Sequence, residues 1–573
     1  MAGFTVPQSR VWAASFQFAA VVSAVCLSGL ATPALAQQSA QPSHVDERFA
    51  PKPTPPSVGA PIEIPQAPAA PAHKGGGGVP FTLSSVDFQG NTVLSNSELH
   101  ALAAPYIGRQ VTLDQVYELA DQITAAYRAA GYILARAVVP AQRVSGGHLT
   151  LKIIEGFIDQ VKIQGDAGGA RDYLQAYGRR IAAIRPLTAD VLERELLLAS
   201  DLTGYSVRSI LTPSPSVQGA ADLTLVIEHK DLDVFIGADN RGSKYLGPYE
   251  ALLGVYVNDP FGTGGRLGLN GVATPESGPE LAYGAISFDQ PLGDDGVRLF
   301  SSVSYTNTLP GGILQELDTK GRALNGDVSV SYPFIRSRDF NLSGSLSFGY
   351  HDVHSQNEVI APLFSDHIRS LTADVYVNGL DDWGGYSTGT VSVTQGLDIL
   401  GATEKGTPVA SRAGAGGTYT RANFEVTHEQ PLVDPVSIYV AGAGQTSFGS
   451  PLLASEQFSL GGLEYDRAFD PSEVTGDSAL AGRAELRVDA LARADFLSNV
   501  QFYGFYEGGE VWESKALPGT PEHETLISGG LGVRFELGDH LNTDLEWAKP
   551  LERQELGAGG ETSRFFFSVG ANF

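Results

Sequence analysis

Beyond residue 231 apolar and polar positions alternate with a period of two, in strand-length segments separated by Gly, Pro, Asp and Asn. In the stretch 340–350 one face carries Phe340, Leu342, Gly344, Leu346, Phe348 and Tyr350, and the other carries Asn341, Ser343, Ser345, Ser347 and Gly349. The first face suits lipid and the second a wet lumen. The same period runs through Ala282-Gly284-Ile286-Phe288, Leu371-Ala373-Val375-Val377 and the terminal Phe565-Phe567-Val569-Ala571-Phe573. Only a closed barrel satisfies every backbone group of a sheet in hydrocarbon, so residues 231–573 are expected to form a transmembrane β-barrel.

Sixteen antiparallel strands are predicted, beginning near residues 231, 250, 265, 280, 296, 322, 340, 367, 385, 420, 435, 478, 498, 524, 540 and 562. An even number returns Phe573 to the side on which the barrel began. Four connections on that side carry Pro before a large apolar residue: Pro260-Phe261, Pro291-Leu292, Pro333-Phe334 and Pro431-Leu432. Proline lacks a ladder donor and is tolerated where strands end. Pro550-Leu551 falls on the opposite side and breaks the pattern. The longest interruption, 448–477, separates strands eleven and twelve.

Ahead of the barrel the period changes to that of mixed helices and strands, and the pattern repeats. Val86-Asp87-Phe88-Gln89-Gly90 recurs as Val161-Lys162-Ile163-Gln164-Gly165, Gly131-Tyr132 as Gly204-Tyr205, and Leu149-Thr150-Leu151 as Leu223-Thr224-Leu225. These landmarks define two small domains, 80–156 and 157–230, each read as strand, helix, helix, strand, strand. Ser95 with Glu98 and Thr112 with Gln115 make capping boxes that open the first copy's helices. The second helix buries a stripe of Val116, Leu119, Ile123 and Ala126 and stops at Gly131; strands follow over 132–139 and 148–154. Three strands covered on one face by two helices leave a sheet edge and a groove open to an extended partner.

The chain has 573 residues with 67 Gly, 1 Cys and 1 Met, and its mean hydropathy is −0.04. Its one continuous apolar stretch, 13–30, follows Arg10 and ends in Ala34-Leu35-Ala36, which predicts a signal peptide over 1–36. Cys26 lies inside that segment, so a cysteine-free mature chain with neither disulfides nor thiolate metal sites is expected. Residues 37–79, with Pro53-Thr54-Pro55-Pro56 and Lys74-Gly75-Gly76-Gly77-Gly78, read as an extended or disordered linker on the periplasmic side. The net charge of −26 makes nucleic acid a poor partner and is read as acidic loops and lumen; lipid and cation-bridged lipopolysaccharide are the expected surroundings.

The order βααββ twice and then a barrel resembles the POTRA-barrel superfamily of outer-membrane insertases and transporters. Two copies before the barrel resemble the two-partner secretion transporters, the haemolysin secretion/activation (TpsB, ShlB/FhaC/HecB-type) family. The first-domain segments Gly131-Tyr132…Pro140-Ala141-Gln142 and 149–156 are similar to that family's first POTRA. The resemblance implies that the 448–477 segment folds back into the lumen, with Gly461, Gly462, Tyr465, Asp466, Arg467, Ala468 and Phe469 standing where the family carries Val-Arg-Gly-Tyr. It also implies that Phe505, Glu507 and Gly509 stand for Phe-x-Asp-x-Gly on strand thirteen, with Glu507 turned inward to hold Arg467. A guanidinium meets a carboxylate through parallel hydrogen bonds, which suits the anchoring of a loop tip. Phe573 would serve as the signal read by the barrel-assembly machinery.

The function the resemblance implies is export of an unfolded partner exoprotein, carrying its own N-terminal secretion domain, across the outer membrane of a Gram-negative cell. The alternatives are an insertase of the same superfamily and, from another class, a passive porin. Gly262-Thr263-Gly264-Gly265 and Gly414-Ala415-Gly416-Gly417 do not open helices, so nucleotide binding is set aside. His351, His354 and His367 are read as solvated loop histidines, and no catalytic site, metal site or cofactor is expected.

Overall fold

The structure, a computed structural model, describes residues 40–56, 58, 80–275, 278–357, 361–490, 497–516, 521–538, 540–552 and 562–573. The expected signal peptide lies outside the described residues.

The first described element is a helix, α1 (Pro42–Phe49), with Pro42 in its first turn. Two small domains follow. The first holds β1 (Phe81–Thr82), β2 (Ser85–Gln89), α2 (Asn96–Ala103), β3 (Gln110–Val111), α3 (Leu113–Ala129), β4 (Arg136–Val138) and β5 (His148–Ile154). The second holds β6 (Phe157–Gly165), α4 (Arg171–Ala183), α5 (Ala189–Ser200), β7 (Tyr205–Pro213) and β8 (Ala220–His229). Their sheets have the orders β2-β5-β4 and β6-β8-β7. The repeat seen in sequence is a repeat in register: Val86 pairs with Leu149 and Phe88 with Leu151, while Val161 pairs with Leu223 and Ile163 with Leu225. Gly90 and Gly165 end the equivalent strands at φ 87° and 88°. A Cβ at either would lie within 2.4 Å and 2.1 Å of a carbonyl oxygen on the neighbouring strand, so both space and conformation demand glycine.

Both expected capping boxes form, at Ser95 and Thr112. The α3 stripe buries Val116, Leu119, Ile123 and Tyr127; Ala126 sits at its margin, because the wide aromatic ring one residue on fills the space beneath the sheet. The strand expected over 132–139 shortens to β4, since the chain turns through 132–135 before it reaches the sheet.

Sixteen strands close the barrel. The first eleven are β9 (Leu232–Asp239), β10 (Glu250–Asn258), β11 (Arg266–Ala273), β12 (Leu281–Leu292), β13 (Val297–Thr308), β14 (Thr319–Arg336), β15 (Phe340–Asn357), β16 (Ala361–Leu380), β17 (Tyr386–Gly396), β18 (Thr420–Val433) and β19 (Val436–Thr446). A hairpin of β20 (Phe458–Leu460) and β21 (Val474–Gly476) stands apart inside the following loop. The barrel resumes with β22 (Ser478–Ala490), β23 (Leu497–Trp512), β24 (His523–Leu537), β25 (Leu541–Glu552) and β26 (Arg564–Asn572). The seam is short: β26 meets β9 over five pairs, from Ser568↔Asp239 to Asn572↔Phe235.

Two expectations change. The 37–79 linker is not extended throughout, because 42–49 is helical and lies within the barrel against β13 and β14. An eight-residue helix is marginal in water and holds only by packing. Val45 joins Leu246, Val272, Leu281, Tyr283 and Leu314 in one apolar cluster, and Arg48 donates two hydrogen bonds to Glu250 at 3.1 and 2.8 Å. The histidines are strand residues and not loop residues. His351 and His354 lie on β15 and His367 on β16; His351 meets Asp327 at 3.1 Å and His367 meets Asp352 at 2.7 Å.

Candidate functional site

The loop between β19 and β22 folds into the barrel and rests on β22 and β23. Its apolar side explains the position. Leu460, Tyr465, Ala468, Phe469 and Val474 share a buried cluster with wall residues Ala481, Tyr503, Phe505, Val511, Leu526 and Phe566. Period-two alternation on β23 turns Tyr503, Phe505 and Glu507 inward, whereas Phe502 and Tyr506 are exposed on the outer face. Gly509 belongs to the inward set, and a Cβ there would stand 2.8 Å from both methyls of Leu460. The glycine is what lets the loop's hairpin lie flat on the wall.

The loop's tip turns through Asp466 at φ 63°, a conformation that Asp tolerates better than most residues. Gly461 and Gly462 take φ 102° and 92°, and a Cβ at Gly461 would lie 2.2 Å from the Asp470 carbonyl oxygen. These turns close the tip on itself and present Arg467 to the wall.

Arg467 is 3 % exposed and meets three carboxylates on three strands. Its Nε donates to Glu507 at 3.1 Å, Nη1 to Glu546 at 2.9 Å and Nη2 to Glu485 at 2.9 Å. Its backbone N–H also donates to Glu507, and the Ser528 hydroxyl donates to the same carboxylate at 2.9 Å. The guanidinium plane lies 3.6 Å from the centroid of Phe505. Each acid has a further partner or donor: Arg487 and Arg534 reach Glu485 at 2.8 and 3.3 Å, and Arg241 reaches Glu546 at 3.1 Å. A buried charge without such neighbours is costly, and here each one is matched.

A second anchor holds the loop where it rejoins the barrel. Asp477 accepts from the Leu452 N–H at 2.9 Å and the Ser514 N–H at 2.7 Å, and it is paired with Arg412 from the β17–β18 connection. Arg412 also reaches Glu513 at 2.7 Å.

The structure thus brings together Arg467, Glu507, Phe505, Gly509, Tyr465, Ala468 and Phe469. Asp466 is buried beside them, but both of its carboxylate oxygens lack a hydrogen-bond partner among the described residues. Phe573 lies elsewhere, at the seam. Its N–H donates to the Val234 carbonyl at 2.9 Å, and its own carbonyl accepts from the Val234 N–H at 3.1 Å. Sequence reasoning missed Glu485 and Glu546. The signal was present, because both are acids in the inward register of their strands, between outward Ala484 and Leu486 and between outward Leu545 and Trp547.

A sixteen-stranded barrel with a lumenal loop fixed by an arginine, entered from two βααββ domains, defines a POTRA-bearing outer-membrane transporter. The sequence matches the ShlB-type POTRA domain over residues 81–156, and the haemolysin secretion/activation protein ShlB/FhaC/HecB over residues 221–535. The chain belongs to that family of two-partner secretion transporters. The protein "Heme/hemopexin transporter protein HuxB" of Haemophilus influenzae (strain 86-028NP) is 23% identical over 482 residues, covering 82% of this chain and 84% of its relative. "Outer membrane transporter CdiB" of Dickeya dadantii (strain 3937) is 25% identical over 467 residues, covering 79% and 80%. The solved structure of CdiB from Escherichia coli superposes with a TM-score of 0.70 at 20% identity, covering 92% of this chain and 94% of that one. The protein is therefore an outer-membrane barrel with its POTRA domains in the periplasm, and it works in the export of a partner exoprotein.

Proposed function

We propose that the exoprotein docks as an unfolded segment along the outer strands of the two POTRA sheets and then threads through the lumen. The observation that carries this reading is a pair of three-stranded sheets, each with outer strands whose ladders are paired on one side only among the described residues, set directly before a barrel whose interior holds a short helix and an anchored loop. β7 offers nine residues of such an edge, with Ile210 half exposed upon it. Backbone pairing gives affinity for many sequences, which suits cargo met in an unfolded state. Folding of the cargo outside supplies direction without nucleotide. Arg467 with its three carboxylates keeps the loop in the position that export needs, and Phe573 at the seam is the residue read by the barrel-assembly machinery. The cargo expected from the family is a large β-helical exoprotein with an N-terminal secretion domain.

Deleting residues 80–156 tests the docking step. Secretion of the partner should be lost while the barrel remains inserted and heat-modifiable. Undiminished secretion would reduce the first POTRA domain to a spacer. Proline placed within β7 should impair secretion more than alanine at the same position, because it removes a ladder donor.

A further inference from the structure

We propose that the second POTRA domain is docked on the barrel rim as a fixed rail, held by barrel charges matched in sign to the ends of its two helices, and that Asp259, Arg298 and Arg336 are positioning residues for export. The consequence for secretion rests on the export reading; the docking itself does not.

The matching begins where a short turn, 168–170, leads into α4. The Gly169 N–H donates to Asp259 Oδ2 at 2.8 Å, and Asp259 belongs to the β10–β11 turn of the barrel. At the far end of the next helix, α5 stops on Asp201. There the Arg298 Nη1 donates to the Asp201 carbonyl at 3.0 Å, and the Nε and Nη2 of Arg336 donate to the two carboxylate oxygens, each at 2.8 Å. A helix N-terminus carries partial positive charge and its C-terminus partial negative charge. The barrel meets the first with an anion and the second with two cations. Asp201 is the wrong sign for the C-terminus of a helix standing alone, and the buried Arg336 corrects it only in the docked arrangement.

The surfaces leave no room to slide. A Cβ at Gly169 would lie 2.2 Å from the Gly262 carbonyl carbon of the barrel turn, and one at Gly296 would lie 2.7 Å from Leu198 of α5. The contacts fall on the β10–β11 turn, the start of β13 and the end of β14, three separate places on the rim, so they resist rotation as well as separation.

What the dock orients is β7. Tyr205 opens that strand and pairs with His229, the last residue of β8, and β9 begins at Leu232. The β7 edge therefore starts at the rim. The Tyr205 hydroxyl donates to Asp259 at 2.7 Å, so the carboxylate that holds α4 also pins the rim end of the edge. A chain added along β7 is delivered at the barrel mouth.

The test uses the full-length transporter in outer membranes, with Cys26→Ser and spin labels on cysteines at Arg208, exposed on β7, and Asp382, exposed in the β16–β17 turn. Three quantities are read: the label distance distribution, capture of the unfolded partner, and secretion normalised to inserted barrel. The parent should give one narrow distance. Asp259→Ala with Arg336→Ala should broaden it and cut secretion about tenfold or more while capture stays within about twofold. Gly169→Val, which wedges the surfaces apart without removing a charge, should do the same. Arg336→Lys keeps charge but loses the planar fork and should fall between. A distribution that stays narrow in the double variant would overturn the dock. Broadening with secretion intact, or capture lost in step with secretion, would overturn the positioning role. If the parent exports no partner, the export reading falls, while the distances still judge the dock.

Discussion

Among the described residues two bodies occupy the barrel interior, and they are held in different ways. The loop brings its own hairpin, a buried apolar face, an arginine shared among three strands and a second anchor at Asp477. Helix α1 is one short helix held by Val45, a hydrogen bond from Ser304 to Asp46 and the Arg48–Glu250 pair. Around it, Gln41 Oε1, Ser43 Oγ and His44 Nε2 lack hydrogen-bond partners among the described residues, and His44 Nδ1 lies 3.7 Å from Glu47. Buried polar atoms without partners weaken an arrangement, and satisfied networks rigidify one. The loop is fastened to three strands through one guanidinium and the helix by fewer polar contacts, although both fill the same lumen.

The strongest way to break that contrast is Arg467→Ala. It takes the cation from Glu507, which keeps only the Ser528 hydroxyl and a backbone N–H, and one partner from each of Glu485 and Glu546, at a cost on the order of 3–5 kcal/mol if the site is fully desolvated and less in a wet lumen. Secretion should drop at least about tenfold with the barrel still inserted, measured against heat-modifiable protein. Arg467→Lys keeps charge without the fork and should be impaired as well.

Next in size is Gly509→Ala, which pushes a methyl into Leu460 and should cost about 1–3 kcal/mol of loop seating by overpacking. Protease access to the 447–477 segment is the readout. An unchanged digestion rate would mean that the hairpin is not pressed on the wall.

Removing residues 42–49 should sharpen the comparison from the other side. Planar-bilayer conductance should rise while the heat-modifiable band and the protease resistance of the loop persist. Arg48→Ala should raise the frequency of open events and act in the same direction, less strongly.

The smallest effect lies outside the lumen and separates the domains from both bodies. Burial opposes ionisation of Glu155 in the first POTRA domain, but donors from Thr92, Val93 and Tyr127 outweigh it and hold its carboxyl below the usual value of 4.5. A depressed carboxylate contributes stability that is present above its unfolded value and lost as pH falls through the folded one. Glu155→Gln should therefore lower that domain's stability at neutral pH, and the difference from the parent should vanish in acid. Thermal melts of the intact protein across that range, followed by the domain's protease sites, provide the check.

The contrast also marks what a sequence exposes. Barrel strands were legible because lipid and lumen impose a strict period of two: Phe502, Tyr506, Tyr503 and Glu507 sort by parity alone. Fifteen of the expected strand starts fall within three residues of the observed ones, and β16 begins earlier, at Ala361, because Ser365, His367 and Arg369 take the register that carries Leu371, Ala373 and Val375 outward further on, which hides the alternation. The repeats were legible because Gly90 and Gly165 perform one steric task twice. Helix α1 was not legible, since the Pro-rich composition of its flanks masks eight residues that hold together only when packed on β13 and β14. The Arg467–Glu507 meeting was expected, but Glu485 and Glu546 converge on the same guanidinium through strand positions distant in sequence. Parity gives the side a residue faces and leaves its height along the barrel to register.

The central claim, that the loop is fixed by one shared arginine, is tested most directly by a double-mutant cycle on Arg467→Ala and Glu507→Ala, with secretion read per inserted barrel. Because Arg467 serves three acids, its loss alone should exceed that of Glu507, and the double variant should be little worse than Arg467→Ala. Losses that add in logarithmic units would show two residues acting independently and would contradict the account.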